Sequence, residues 1–316
     1  LLDYPREKFV VYIVDNATSP ETQQYLHDTW PEAVVIPNEK NSGWGGGNNI
    51  GIARAFVDEC QDIVLSNMDV IVEKEWLKEL VKGAYSDVAP SPQPSPVGRG
   101  GLEKSPLLLG EGQGEGKSIG IVQSKLLLHP VGPDGVQRIN SLGNQIHFLG
   151  FGYCKGYGEA VIPLRHSEEP QYQIEARYGV SLRDEESRGR KDGILRYAQD
   201  DSVGRVVDIP YASGASMYVK GKVFRKVGLC NPDFFMYHDD MELCLKAKLA
   251  GYRVVLAPKS VMRHKYEFKR SIMQIYYMER NRLVTMLEFY KVPTLILLAP
   301  IFLVMELGVL AGALLG

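Results

Sequence analysis

The sequence predicts an α/β protein with a nucleotide-binding type of sheet, on three observations. Short apolar runs rich in β-branched residues alternate with helical stretches, acidic residues close two of those runs, and a glycine-rich loop leads into a helix. Alternation of this kind implies parallel strands with helices on both faces, and ligands bind at the carboxyl ends of such strands.

Phe9-Val10-Val11-Tyr12-Ile13-Val14 reads as a buried strand ending at Asp15. A polar turn from Asn16 to Pro20 enters a helical stretch, Glu21 to Thr29. Ala33-Val34-Val35-Ile36 is a second strand. The glycine-rich loop follows, and then a helix from about Asn48 to Glu59. Ile63-Val64-Leu65-Ser66 is a third strand closed by Asn67-Met68-Asp69-Val70, with a helix over Glu73 to Val81. Beyond Ile119-Gly120-Ile121-Val122 comes a Gly- and aromatic-rich β region, Ile139 to Tyr157, and then Val206 to Val219 with a Ser213-Gly214-Ala215 turn. A helix from Met241 to Ala250 is closed by Gly251 at the position after its cap, and the strand Tyr252 to Leu256 precedes His264.

Two stretches break the pattern. Pro90 to Gly116 is rich in Pro and Gly, and Glu168 to Ser202 is crowded with charge. Neither offers enough apolar surface to offset ordering entropy, so both read as disordered insertions. The tail from Val292 to Gly316 is almost wholly apolar, interrupted by Pro293, Pro300 and Glu306. About 20 apolar residues suffice to span a bilayer, so a transmembrane or membrane-interfacial segment is expected. The excess of Lys and Arg between Lys259 and Lys291 places that flank on the cytoplasmic side.

Lys+Arg 36 against Asp+Glu 38 leaves a formal net charge of -2, so nothing global favours nucleic acid as a partner. Cys60, Cys154, Cys230 and Cys244 contain no C-x-x-C pair and read as buried thiols of a reducing compartment. The chain opens at Leu1 and runs into a strand within a few residues, so an N-terminal truncation is expected.

Three groups carry candidate chemistry. Asp69, at a strand end, either holds a hard cation together with substrate phosphates or caps the next helix. The loop Asn41-Ser42-Gly43-Trp44-Gly45-Gly46-Gly47-Asn48-Asn49 either offers backbone N–H groups to a phosphate or makes a tight turn. It lacks the Walker lysine and the G-x-G-x-x-G spacing. His238-Asp239-Asp240-Met241-Glu242 puts three carboxylates at a helix start, where they either cap the helix or supply a general base. His264 either completes a metal site or is structural.

Taken in order, VVYIVDNAT, NEKNSGWGGGNNIGI, IVLSNMDVIVEKEWL, YASGASMYVKGKVFRKVGL, FFMYHDDMELCLKAKLAGYRV and YYMERNRL resemble glycosyltransferase family 2, the inverting enzymes of GT-A fold, and most of all its rhamnosyltransferase-like branch. The resemblance implies a GT-A-type, Rossmann-like sheet flanked by helices, with the apolar C-terminal segment appended. Residues 1–89 then form the nucleotide-binding half, without the family's first strand. Residues 90–117 and 168–202 are insertions, 118–167 and 203–291 the metal and acceptor half, and 292–316 the membrane segment.

The implied roles are specific. Asp15 contacts the base or ribose of a nucleotide-sugar donor, and Asn41, Trp44, Gly46, Asn48 and Asn67 border that donor. Asp69, last in a D-x-D-like motif whose first position is Asn67, binds Mg²⁺ or Mn²⁺ with His264. Asp239-Asp240 matches the family's acidic pair, with Asp240 the catalytic base. Arg280-Asn281 matches a recurring pair whose role the sequence leaves open. No Q-x-x-R-W motif of processive members occurs, so transfer of single sugars to a glycan or lipid-linked acceptor is expected, at the cytoplasmic face of the cell membrane. Two other readings stand beside it: a degenerate membrane-anchored sugar-binding module, and a nucleotidyltransferase.

Overall fold

Strands buried on both faces must feed two layers at once, and their period of two divides the side chains between them. The computed structural model describes residues 2–86, 118–161, 205–265 and 271–315. The expected insertions, 90–117 and 168–202, lie outside the described residues. The chain runs β1 (Tyr12–Asn16), α1 (Pro20–Thr29), β2 (Val34–Asn38), α2 (Gly43–Val57), β3 (Asp62–Ser66), β4 (Val70–Val72) and α3 (Trp76–Ala84). It continues through β5 (Ile119–Leu128), β6 (Ile139–Ser141), β7 (Asn144–Ile146), β8 (Gly152–Cys154), β9 (Val207–Asp208), β10 (Ser216–Lys220) and α4 (Gly221–Val227). α5 (Asp239–Leu249), β11 (Arg253–His264), α6 (Ile272–Phe289) and α7 (Val292–Leu315) complete it.

β1 and β2 pair in parallel as a separate sheet. The 7-stranded sheet has the order β3-β10-β5-β11-β4, with β6 on β5 and β9 on β11. In β5, Ile121 and Leu127 face one core while Val122 and Leu126 face the other. The first core is closed by α2, α4, α5 and α6, the second by Trp76, Leu77 and Leu80 of α3.

Three expectations need correction. The large sheet is mixed: β5 and β11 are parallel, but β10 runs antiparallel to both β3 and β5, and β4 antiparallel to β11. A strand buried on both faces shows the same apolar run whichever way it points, so the sequence pattern carries no direction. α2 begins at Gly43, before the expected Asn48, because the glycines form its first turns. They are there for contact: a side chain at Gly43 (φ +73) would collide with the Phe235 backbone, and one at Gly45 would come within 3.3 Å of Asn231 O. Close packing outweighs the roughly 1 kcal/mol of helix propensity each glycine gives up.

The expected membrane segment is the third correction. Among the described residues no helix is long and apolar enough to cross a membrane. α7 contains Pro300, and its Thr294 and Leu298 are buried against the domain, while Ile296, Leu297, Leu303 and Val304 are exposed. Glu306, costly in a bilayer, instead accepts from the buried Arg282 guanidinium at 2.7 Å. Arg282 also pairs with Glu279, donates to Leu149 O at 3.0 Å and lies against the Phe151 and Phe302 rings. Arg282 therefore ties α7, α6 and the loop before β8 together. Replacing it strands two carboxylates at a partly buried seam. Arg282→Ala is expected to lower the unfolding free energy by about 3 kcal/mol, read as a lower urea midpoint with earlier proteolysis within α7. An unchanged midpoint would mean that the helix is held by its apolar contacts alone.

Candidate active site

The first half of the site grows from the ends of β1 and β2. Asp15 is buried, and its Oδ1 accepts from Thr18 N at 3.0 Å; hydrogen bonding from the Thr18 side chain, and then from its backbone, holds the carboxyl below its usual range against the effect of burial. Its Oδ2 is buried without a partner among the described residues. A buried acceptor left unsatisfied costs about 1–3 kcal/mol, so this oxygen fits a donor group on a ligand.

Next to it Asn16, which sequence reasoning passed over, organises the loop before α2. Its Nδ2 donates to Asn41 Oδ1 at 3.0 Å and to Gly43 O at 3.1 Å, and its Oδ1 accepts from Asn38 Nδ2 and Ser42 N, both at 2.9 Å. Asn41 is thereby pinned, with Gly43 N as a second donor at 2.9 Å. Asn48 donates to Trp44 O within the helix, and Gly46 is buried there, with room for no side chain beside Ser42. The amides of Asn41 and Asn48 thus serve the loop and the helix themselves.

The second half lies at the far ends of β3 and β11. β4 pairs with β11 so that His264 stands opposite Val70, and Lys265 N donates to Asp69 O at 2.8 Å. That register brings together the two expected metal ligands, placing His264 Nε2 3.3 Å from Asp69 Oδ2. Two ligands at right angles around a small cation stand about 3.0 Å apart, so the pair fits a divalent ion. His264 Nδ1 lies 3.2 Å from Asn140 Oδ1, and burial lowers the imidazole pKa. A neutral ring that donates from Nδ1 presents its Nε2 lone pair toward Asp69. Among the described residues no group of three or more His, Cys, Asp or Glu side chains forms a metal shell. The remaining positions would fall to phosphate oxygens and water.

Asn67, two residues before Asp69, has its side-chain oxygen engaged elsewhere. Its Oδ1 accepts the Trp44 indole N–H at 3.0 Å. The same indole closes over Gly214, where a methyl group would lie 2.5 Å from the ring. Trp44 is thus held at its N–H edge by Asn67 and packed at Gly214. Only glycine at position 214 lets the ring sit there.

Gly214 leads to the third part. Its N–H donates to Asp240 Oδ2 at 2.9 Å, and Met241 N to Asp240 Oδ1 at 2.8 Å. Asp239 Oδ1 accepts from Asp240 N at 3.2 Å, while Asp239 Oδ2 is buried without a partner among the described residues. Glu242 is neutralised by Lys246 at 2.8 Å. Burial raises the pKa of both aspartates, and of Asp239 further, because the Asp240 charge adds to its burial while Gly214 and Met241 relieve Asp240. His238 is buried too and stays neutral, its pKa lowered to about 4 by burial and by the Arg282 charge. Around Asp240 stand the Cys154 thiol, pushed up to about 11 by burial and by that charge, and the buried Tyr211.

The chain matches glycosyl transferase family 2 over residues 1–105 and glycosyl transferase family group 2 over residues 187–286. These matches support glycosyltransferase family 2 and single out no rhamnosyltransferase-like branch. The chain is similar to the low-salt glycan biosynthesis hexosyltransferase Agl10 of Haloferax volcanii, 22% identical over 239 residues, which cover 75% of this chain and 52% of Agl10. It therefore spans about half the length of that relative. Among solved structures, GalNAc-T7 with UDP, GalNAc and Mn²⁺ gives a TM-score of 0.49 at 13% identity, covering 84% of this chain and 39% of that one. The mannosyltransferase PcManGT from Pyrobaculum calidifontis, in complex with GDP-Man and Mn²⁺, gives 0.47 at 14% identity, covering 90% and 55%.

The raised aspartate pKa has a consequence for stability. A carboxyl whose folded pKa lies above its unfolded value of about 3.9 costs stability as pH climbs through that window. Asp239→Asn removes the cost. The variant is expected to melt higher than the parent at pH 8, with the gain shrinking as pH falls and vanishing below about pH 3, where Asp239 is protonated in both states. A gain equal at both pH values, or none, would show that Asp239 is not held above its normal range.

Proposed function

We propose that the chain is an inverting glycosyltransferase that moves one sugar from a UDP- or dTDP-linked donor, rhamnose among the candidate sugars, to a hydroxyl of a glycan or lipid-linked acceptor in cell-surface polysaccharide synthesis. The observation that carries the reading is the bridge made by Trp44, which touches Asn67 beside the Asp69–His264 pair and Gly214 beside Asp240. A phosphate-side acid and a base-side acid then stand on either side of the same indole.

Asp240 takes the proton of the acceptor hydroxyl. The acceptor oxygen forms its bond to the anomeric carbon as the bond from that carbon to the diphosphate breaks, which inverts the configuration. A carboxylate held above its usual pKa is a stronger base near neutral pH than a free one, and it is still ionised there. Asp15 Oδ2 accepts from the base or ribose of the donor. Mg²⁺ or Mn²⁺ held by Asp69 and His264 would neutralise charge on the departing diphosphate. The imidazole favours Mn²⁺ over Mg²⁺.

The test is release of nucleoside diphosphate from a panel of UDP- and dTDP-sugars, with acceptor glycans and lipid-linked acceptors, with and without Mn²⁺. Release that requires metal and acceptor and falls at least ~100-fold in Asp240→Asn is expected. Donor binding without release from any pair would overturn the transferase reading in favour of a sugar-nucleotide-binding module.

A further inference from the structure

The segment that delivers the acidic pair into α5 is strained. Phe235, Tyr237 and His238 have φ of 60°, 65° and 66°, left-handed values that cost a non-glycine residue of order 1 kcal/mol or more each. Three such residues within four positions persist only if their surroundings hold them. The conformation turns the carbonyl oxygens of Phe234, Met236 and Tyr237 toward one point, occupied by Asn281 Nδ2 at 2.8 Å from each. Asn281 is fully buried. Its amide has two protons for three acceptors, so at least one proton is shared.

What keeps this amide from flipping is Arg280. Its Nε donates to Asn281 Oδ1 at 2.9 Å, which fixes the nitrogen end toward the loop. The same guanidinium donates to Asp233 O and lies 4.9 Å from the centre of the Tyr277 ring, which stacks on Phe235 at 5.1 Å. On its other side the loop is gripped by α2, where Trp44 N donates to Phe235 O at 2.6 Å.

We propose that Arg280 and Asn281 are positioning residues for the acid–base step: the Asn281 amide, oriented by Arg280, locks the left-handed loop that aims Asp240 at the Gly214 N–H. The inference rests on the reading of Asp240 as the base. Neither side chain reaches the carboxylates; both act through the backbone of residues 233–238. This gives the R-N pair, whose role the sequence left open, a physical task.

The variants are Asn281→Ala, Asn281→Asp and Arg280→Ala, in the full chain. Misplacing a reacting group by about 1 Å costs on the order of 100-fold, and Asn281→Ala should lose about that much turnover while the donor KM stays within about 3-fold. Asn281→Asp keeps the shape but turns an oxygen toward three carbonyls, so it should lose as much; retained activity there would mean the side chain only fills space and would overturn the proposal. Arg280→Ala, on a half-buried side chain, should lose about 10-fold, and it remains the deciding variant if both Asn281 changes fail to fold. Unchanged turnover in Arg280→Ala would then overturn the proposal.

Carboxyl carbon-13 NMR separates this failure from that of the transferase reading. If the wild-type chain transfers no sugar, the raised titration of the Asp239–Asp240 pair is still expected to drop toward the ordinary carboxylate range in the folded Asn281 or Arg280 variants. A titration unchanged in those variants would overturn the positioning role whatever the activity.

Discussion

Asp240 carries a charge into a buried place, and two backbone N–H groups, from Gly214 and Met241, make that tolerable. An isolated carboxylate there would simply hold its proton. Asp239, one residue away and with a buried oxygen that has no partner among the described residues, shows how strong the pull toward neutrality is. The environment separates two adjacent acids into a more protonated and a more ionised partner, as acid–base sites require. The neighbouring structure can be understood as what this pair of donors needs. The turn before β10 must present the Gly214 N–H, α5 must begin at one place, and the loop before α5 must be locked to make it begin there.

The sheet supplies the rest by register. β11 is parallel to β5 and antiparallel to β4, so His264 comes to the end of the sheet beside Asp69, although 195 residue positions, 264 less 69, separate them. Trp44 then spans from that end to the Gly214 turn. Its indole is a spacer between the Asn67–Asp69 end and the Gly214 turn, and this explains why a glycine-rich segment carries one large aromatic residue. The glycines let α2 approach the loop at Cys230 to Phe235, and the tryptophan fills the space that remains.

Much of this was legible in the sequence, and the parts that were not share a cause. The runs at β1 and β3 were recognisable with their terminal acids because a buried strand must be apolar and a strand end need not be. The meeting of Asp69 with His264 came only from resemblance, since no local spacing joins them. Strand direction was invisible for the reason that both faces of β5 are buried. β11 was expected to stop near Leu256, but it continues past an irregularity between Ala257 and Val261, where the polar residues Lys259 and Ser260 interrupt the apolar run. The apolar tail looked like a membrane segment because hydropathy counts Glu306 as a defect. The pairing with Arg282, 24 positions earlier, appears only in three dimensions. The role of Asn281 was equally silent, since the three acceptors its amide nitrogen meets lie 44 to 47 positions away and are all backbone carbonyls, which leave no trace in residue identity.

In the proposed function Asp69 and His264 hold a divalent cation, and through it the donor diphosphate, on the opposite side of Trp44 from Asp240. The most direct measurement is a crystal structure of the protein with Mn²⁺ and UDP, with the manganese located by anomalous scattering. One strong peak is expected within about 2.3 Å of both Asp69 and His264, with phosphate oxygens completing the coordination. A peak at Asp239 and Glu242, or a nucleotide bound with no manganese between Asp69 and His264, would contradict it.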